Sequence, residues 1–349
     1  MNVDILIPNL QLSQAALAAL PKSATVEPAS LAALLNKSRK TETQAATRGS
    51  FPWLLKEFKV PEDAQNSDIS SLFVTAEIDA NRLHSAAVDH IWLVAEPVYL
   101  KPDRDALALF RGAHLEISCA EATALTNTLN QHFAQDGLLF AAATPSRWYV
   151  QCPVNRVPSA SSPSWIAARG ELFTHMPVSI AGGINWRAIL NEVQMLLHNH
   201  AVNEEREARG FAAINGVWIF GSATQVSMVD KSPYDAVYSS NFETLALASF
   251  HKLRCLETVD NWASTTFTSN SLVYINALES IAIEEDFSRW QHAREALEYG
   301  VFSPFLQKLE RGEISRLRVI DAHTTTTTIY TIAPFSFNAF FKRLFGSKQ

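Results

Sequence analysis

The 349 residues are 47% hydrophobic and 18% charged, ample apolar material for a large core, which excludes extensive disorder. A formal net charge of -6 with no long Lys/Arg run argues against nucleic acid as a partner, and no apolar stretch reaches the roughly 18 residues of a transmembrane segment. The start, Met-Asn-Val-Asp-Ile-Leu-Ile-Pro, lacks the basic region of a secretory signal, and Cys119, Cys152 and Cys255 have no zinc-binding spacing, so the expected location is cytoplasmic and the cysteines read as small buried hydrophobes.

Val3 to Ile7 reads as a strand stopped by Pro8. Gln11 to Leu35 is rich in Ala and Leu and broken at Pro21 and Pro28, with Ser30 the expected N-cap of a helix over 31–35. The polar stretches Lys37 to Ser50 and Pro61 to Ser67 carry no apolar period and read as loops. Short strands follow at Ile91 to Val94, Val98 to Leu100 and Ala106 to Phe110, with Lys101-Pro-Asp-Arg-Asp as a turn. Ser118 and Glu121 form a capping box for a helix whose apolar residues recur at Ala122, Leu125, Leu129 and Phe133. Asp136-Gly137 then turns the chain into a hairpin over 138–142 and 147–151.

Pro153 to Ser164 is dense in proline and serine, and the expected boundary between two lobes, 1–158 and 159–349, lies there. Beyond Gly182-Gly183, Trp186, Ile189, Leu190, Val193, Leu196 and Leu197 form one apolar stripe, predicting a helix from Trp186 to about His200. Further expectations are a strand over 216–220, a helix over 243–253, a strand over 272–275, one or two helices over 287–309, and strands over 317–320 and 326–332. The fold class is therefore α/β, a mixed sheet with helices on its faces, in one large two-lobed domain or two domains. Trp92, Trp148, Trp186 and Trp218 lie in apolar runs and read as core.

No Gly-rich phosphate loop, GxSxG elbow or HExxH motif occurs. The densest polar patch follows the strongest helix, and its candidate ligand-binding residues are His198, His200, Asn203, Arg206, Arg209 and Asn215. Arg206 and Arg209 are three apart, so on a helical turn they share a face and could grip one small anion. The alternative is pairing with Glu204, Glu205 and Glu207 on an ordinary solvated surface. His198 and His200 point roughly 200° apart on a helix and cannot ligate one metal there.

Glu192-Val-Gln-Met-Leu-Leu-His-Asn-His-Ala-Val-Asn-Glu-Glu-Arg-Glu-Ala-Arg-Gly, followed by Ile214-Asn-Gly-Val-Trp-Ile-Phe-Gly, resembles a proteobacterial family often labelled cofactor-independent phosphoglycerate mutase of the archaeal type. The family-like segment is 184–221; Arg147-Trp-Tyr after Asp136-Gly-Leu resembles the same family. The resemblance implies an alkaline-phosphatase-like fold, in which true mutases use a Ser or Thr nucleophile after the first strand and two metals held by Asp and His. Here Val3 to Ile7 leads into Pro-Asn-Leu-Gln-Leu-Ser, with Ser13 lacking acidic company. The Asp and His candidates for a metal reduce to Asp89-His90 and Asp321-Ala-His323, and only the second pair shares a strand face.

The expectation is a mutase-like protein without the metal-dependent phosphotransfer site, binding an anionic ligand or a partner, with no cofactor. The alternatives are an active mutase or phosphoester enzyme with a divalent metal, and a scaffold binding a partner through its tail. That tail, 335–345, carries Phe337, Phe340, Phe341, Leu344 and Phe345 on one helical face and is expected to dock on the chain's own body.

Overall fold

The computed structural model describes residues 1–12, 28–44, 50–61, 70–103, 106–111, 115–157, 172–173, 180–181, 184–221, 231–267, 269–279, 281, 287–323 and 326–333. The elements in chain order are β1 (Asn2–Leu6), α1 (Ala29–Asn36), β2 (Arg39–Gln44), α2 (Phe51–Glu57), α3 (Ser70–Asp79), β3 (His90–Asp103), β4 (Ala106–Arg111), α4 (Cys119–Phe133), β5 (Leu139–Thr144) and β6 (Arg147–Pro153). Then come β7 (Leu172–Phe173), β8 (Ile180–Ala181), β9 (Ile184–Asn185), α5 (Trp186–His198), α6 (Ala201–Ala208), β10 (Gly216–Phe220), β11 (Ala236–Tyr238), α7 (Phe242–Phe250), β12 (Arg254–Leu256) and β13 (Ser271–Tyr274). The last are α8 (Phe287–Leu297), α9 (Ser303–Glu310), β14 (Arg316–Ala322) and β15 (Thr326–Ile332). This is a mixed α/β fold, and among the described residues no helix is long and apolar enough to cross a membrane.

The chain divides into two compact units, Met1–Lys59 with Asp230–Gln349, and Val60–Val229. Position 158/159, the boundary expected from the sequence, lies outside the described residues and inside the range of the second unit. β6 before that stretch and β7 and β10 after it belong to one sheet.

The first unit holds a seven-stranded sheet in the order β12-β11-β13-β1-β14-β15-β2. Its first five strands run parallel, and β15 and β2 join antiparallel. Alternation puts Val3 and Ile5 of β1 with Leu317 and Val319 of β14 on one face, against Leu31, Trp290 and Phe305 from α1, α8 and α9. A π-helical turn, Glu298–Phe302, separates α8 from α9. Its Glu298 accepts the backbone N–H of Ser30 at 2.7 Å, so α1 is capped by a distant carboxylate and not by the Ser30 hydroxyl, and a negative charge suits that end of the helix dipole. A side chain at Gly300 would meet the Asp260 carbonyl at 2.3 Å. Only glycine fits that close approach.

The second unit is built on an antiparallel sheet, β5-β6-β3-β4-β7 with β10 also on β3. Leu125, Leu129 and Phe133 of α4 and Trp186, Leu190 and Val193 of α5 pack with Trp148, Val150 and Val217 from the sheet. The capping box at Ser118 and the hairpin after Gly137 form as the sequence predicts, and Trp92, Trp148, Trp186 and Trp218 are all buried.

Three expectations need correction. β2 lies within the stretch read as a loop; it is exposed on both faces over 39–43, so no apolar alternation betrays it. β3 is one long strand where two were expected: β6 pairs with it up to Val94 and β4 from Val98, and Pro97 sits where only β10 flanks the backbone, a tolerable place for a residue without N–H. Of the cysteines only Cys152 is buried, its thiol pushed up to about 12 by burial, while Cys119 and Cys255 are exposed. Ser13, Gly182-Gly183 and the tail 335–345 lie outside the described residues.

Candidate functional site

Each residue singled out between 198 and 215 has a definite place. His198 is exposed at the end of α5. His200 caps α6, its Nδ1 accepting the Val202 N–H at 3.2 Å, which leaves Nε2 to donate to the Thr128 hydroxyl at 2.9 Å. Asn203 is buried; its amide donates to the carbonyls of Leu197 and Ile214 at 2.7 and 2.9 Å and its oxygen accepts the Ile214 N–H at 2.8 Å. It therefore fastens the end of α5 to the approach to β10. Asn215 accepts the Leu100 N–H at 2.7 Å and donates to the Leu100 carbonyl at 2.9 Å, prolonging the β10–β3 ladder by its side chain.

Arg206 and Arg209 do converge on one carboxylate, and it belongs to Glu121, the capping residue of α4. Arg206 is 0% exposed; its Nη1 meets Glu121 Oε2 at 3.1 Å, its Nε donates to the Ala212 carbonyl at 2.9 Å, and its Nη2 donates to the Leu115 carbonyl. Arg209 reaches Glu121 Oε1 at 2.6 Å with its own side chain 54% exposed. Both guanidiniums lie over the Phe211 ring, 5.6 and 5.3 Å from its centroid. Burial pushes the Glu121 carboxyl up, but the Ser118 N–H, Arg209, the Ser118 hydroxyl and the Arg206 charge outweigh it and hold the group below the usual carboxylate range. Two cations against one carboxylate leave the cluster with a surplus positive charge, which Arg209 presents to solvent.

Ligand sites of open α/β sheets form beyond the carboxyl ends of the parallel strands. At that edge of the first unit stand Asp321, near the end of β14, and His323, just after it, on one face as their spacing requires. The Asp321 oxygens accept the backbone N–H groups of Leu10 and Gln11 at 2.9 and 3.0 Å, and His323 Nε2 lies 3.3 Å from Oδ2. Burial lowers the His323 pKa, but Asp321 and the Gln11 carbonyl outweigh it and raise it above the ordinary imidazole value. The pair thus clamps the chain after β1. Asp89 adopts a left-handed backbone and His90 bonds the Val88 carbonyl at 2.9 Å, away from any second ligand of this kind. A two-metal centre needs several convergent carboxylates and imidazoles; among the described residues no group of three or more His, Cys, Asp or Glu is placed to hold a metal. The described residues do not fit the metal pair that the resemblance implies.

Two further clusters in the first unit were not anticipated. Asp4, buried in β1, lies directly opposite Arg318 of β14. Arg318 Nε donates to Asp4 Oδ1 at 2.8 Å and its Nη2 bonds both Asp4 Oδ2 and, at 2.7 Å, Glu57 Oε2. The Tyr234 hydroxyl stands 2.7 Å from Asp4 and 3.2 Å from Glu57. Burial pushes its pKa well up, and the two carboxylates push it further. Ser50, before α2, meets the Tyr274 hydroxyl at 3.1 Å, and Tyr274 donates to Glu279 at 2.9 Å. These contacts tie both ends of α2 to the sheet. A charged residue inside the apolar run of β1 was the available signal for Asp4; nothing local pointed to its partners.

No protein-family model matches the sequence, and no curated protein matches it. Among solved structures, the PH0037 protein of Pyrococcus horikoshii is similar over 95% of this chain and 87% of that one, with 10% identity and a TM-score of 0.58. The two share a fold. The cofactor-independent phosphoglycerate mutase of Thermoplasma acidophilum is similar over 97% of this chain and 91% of that one, with 12% identity and a TM-score of 0.46.

Proposed function

We propose that the chain is a phosphoglycerate-mutase-like protein that acts by binding a small anion or a protein partner and has no metal-dependent phosphoryl transfer of its own. The observation that carries this reading is the use made of Asp321. Both its oxygens hold backbone N–H groups and its imidazole neighbour is drawn into the same clamp, so the one Asp-x-His pair at the sheet's carboxyl edge is committed to holding the loop after β1. The mutase-like part rests on the likeness of segment 184–221. The anion-binding part is supported by the surplus charge at Arg209, whose guanidinium is half exposed and already oriented by Glu121 and Phe211.

Turnover assays on phosphoglycerates and 4-nitrophenyl phosphate, supplemented in turn with manganese, magnesium and zinc, test the first part. No turnover above buffer is expected, and turnover that tracks an added metal overturns it. For the second part, inorganic phosphate should raise the melting temperature of the wild type and not that of Arg209→Ala. The variant is chosen at the exposed arginine because Arg206 is part of the core. Identical responses of wild type and variant would remove the anion site and leave a protein partner as the reading.

A further inference from the structure

We propose that β2 pairs antiparallel with β2 of a second copy of this chain, joining two seven-stranded sheets edge to edge. Among the described residues β2 is the outermost strand of its sheet, hydrogen-bonded to β15 on one side only. Residues 39–43 are exposed on both faces. Its outer side therefore offers a row of backbone N–H and C=O groups, the usual template for an added strand.

The side chains say which strand fits. The sequence is Arg-Lys-Thr-Glu-Thr-Gln. In a two-fold arrangement centred on Thr41, Lys40 of each copy faces Glu42 of the other, twice, as a closed symmetric contact requires. Arg39 then faces Thr43, and Thr41 faces Thr41. Lys40 and Glu42 already lie 3.2 Å apart along one strand face, so the dimer closes a square of alternating charges in which each has two opposite neighbours. Directly opposed cross-strand pairs of this kind stabilise a ladder, and like charges oppose it. Parallel in-register pairing would set Lys40 on Lys40 and is disfavoured. Two-fold antiparallel registers centred on Lys40 or on Glu42 would set lysine against lysine or glutamate against glutamate. Lysine on an edge commonly repels added strands; here the accompanying Glu42 turns the same charges into a preference for the chain's own copy. Thr41 and Thr43 are β-branched and suit a strand exposed on both faces.

An interface of five facing residues is smaller than that of a permanent dimer, so the association is weak and concentration-dependent. Sedimentation velocity over a concentration series should show wild type moving from monomer to dimer, with dimer weakened by high salt. Lys40→Glu sets acidic residues against each other and Glu42→Lys sets basic ones; each variant alone should remain monomeric, with far-UV circular dichroism and melting temperature unchanged. An equimolar mixture of the two variants restores complementarity and should dimerise again, as should the double exchange Lys40→Glu with Glu42→Lys. A wild type that stays monomeric at the highest concentration, or a dimer that ignores both charge variants, overturns the proposal.

Discussion

The Asp4–Arg318–Glu57 cluster of the first unit and the Glu121–Arg206–Arg209 cluster of the second are built in opposite senses. In the first unit one guanidinium, Arg318, serves two carboxylates, Asp4 and Glu57, with Tyr234 contributing a single hydroxyl proton. In the second, one carboxylate, Glu121, serves two guanidiniums, Arg206 and Arg209. The first is left one positive charge short and the second one in excess. The shortage in the first is met partly by a neutral donor held among apolar surroundings, whereas the excess in the second is carried to the surface by Arg209. Identical ion types therefore give a closed fastening in one place and a surface with residual affinity for anions in the other.

The comparison is sharpest at the arginines. Arg318→Met leaves Asp4 and Glu57 facing each other with the Tyr234 hydroxyl alone between them. Removing one partner of a buried ion pair costs about 3–5 kcal/mol, and chemical denaturation should show a loss of that size in the first unit. Arg206→Met should cost less, because Glu121 keeps Arg209 and the Ser118 N–H. Equal losses for the two variants would break the argument from sharing.

Glu121→Gln comes next in size. It removes the charge that two arginines share and weakens the capping box, and with charged hydrogen bonds worth about 1.5–3 kcal/mol each the expected loss is about 2 kcal/mol. It also carries a pH signature. The Glu121 carboxyl is held below its ordinary value in the folded protein, so its contribution is present above the unfolded carboxylate value and lost as pH falls through the folded one. Stability measured against pH should therefore fall more steeply on the acid side in wild type than in Glu121→Gln. Parallel acid limbs would show that Glu121 is not the group being titrated.

Where an interaction is local, the residues announce it. Ser118 and Glu121 are three apart and form the capping box that their types predict, and the stripe from Trp186 to Leu197 finds its core. The three-residue spacing of Arg206 and Arg209 puts both on one face, and they meet there on a carboxylate of the chain itself. That carboxylate could not be read from the sequence, since Glu121 is 85 residues from Arg206 and the nearer Glu204, Glu205 and Glu207 were the expected partners. Asp321 and His323 share a face as their spacing requires, but their targets, Leu10 and Gln11, lie more than 300 residues away. β2 escaped notice for a different reason: a strand exposed on both faces has no alternation to read. Asn203 and Asn215 stood in the sequence as ligand-binding candidates; the structure has Asn203 on the backbone of Leu197 and Ile214 and Asn215 on that of Leu100, 115 residues away, a partner no local pattern indicates.

The smallest expected effect separates the clusters most cleanly, because the same change of carboxylate to amide should have different consequences in each. Tyr234 has one hydroxyl hydrogen, and at 2.7 Å it belongs to Asp4. The 3.2 Å approach of the Tyr234 oxygen to Glu57 Oε2 is then a contact between two acceptors. Glu57→Gln removes one of two negative charges competing for Arg318, and because the Arg318 and Tyr234 contacts fall on the same oxygen, Oε2, the amide oxygen keeps that place. Its carbonyl still accepts from Arg318 Nη2. The lost Coulomb attraction to Arg318 is offset by the lost repulsion from Asp4, and Glu57 is partly solvated, its side chain 22% exposed. Stability should therefore stay within about 0.5 kcal/mol of wild type, on either side, as for surface changes that break no special feature. A double-mutant cycle with Tyr234→Phe adds the decisive measurement. Tyr234→Phe alone forfeits a hydrogen bond to a charged group and costs about 1.5–3 kcal/mol. In the Glu57→Gln background its cost should rise, because the hydroxyl oxygen then faces a neutral amide oxygen in place of a charged acceptor. A Glu57→Gln loss as large as that of Glu121→Gln, or a Tyr234→Phe cost unchanged between backgrounds, would mean that the first cluster is not short of positive charge.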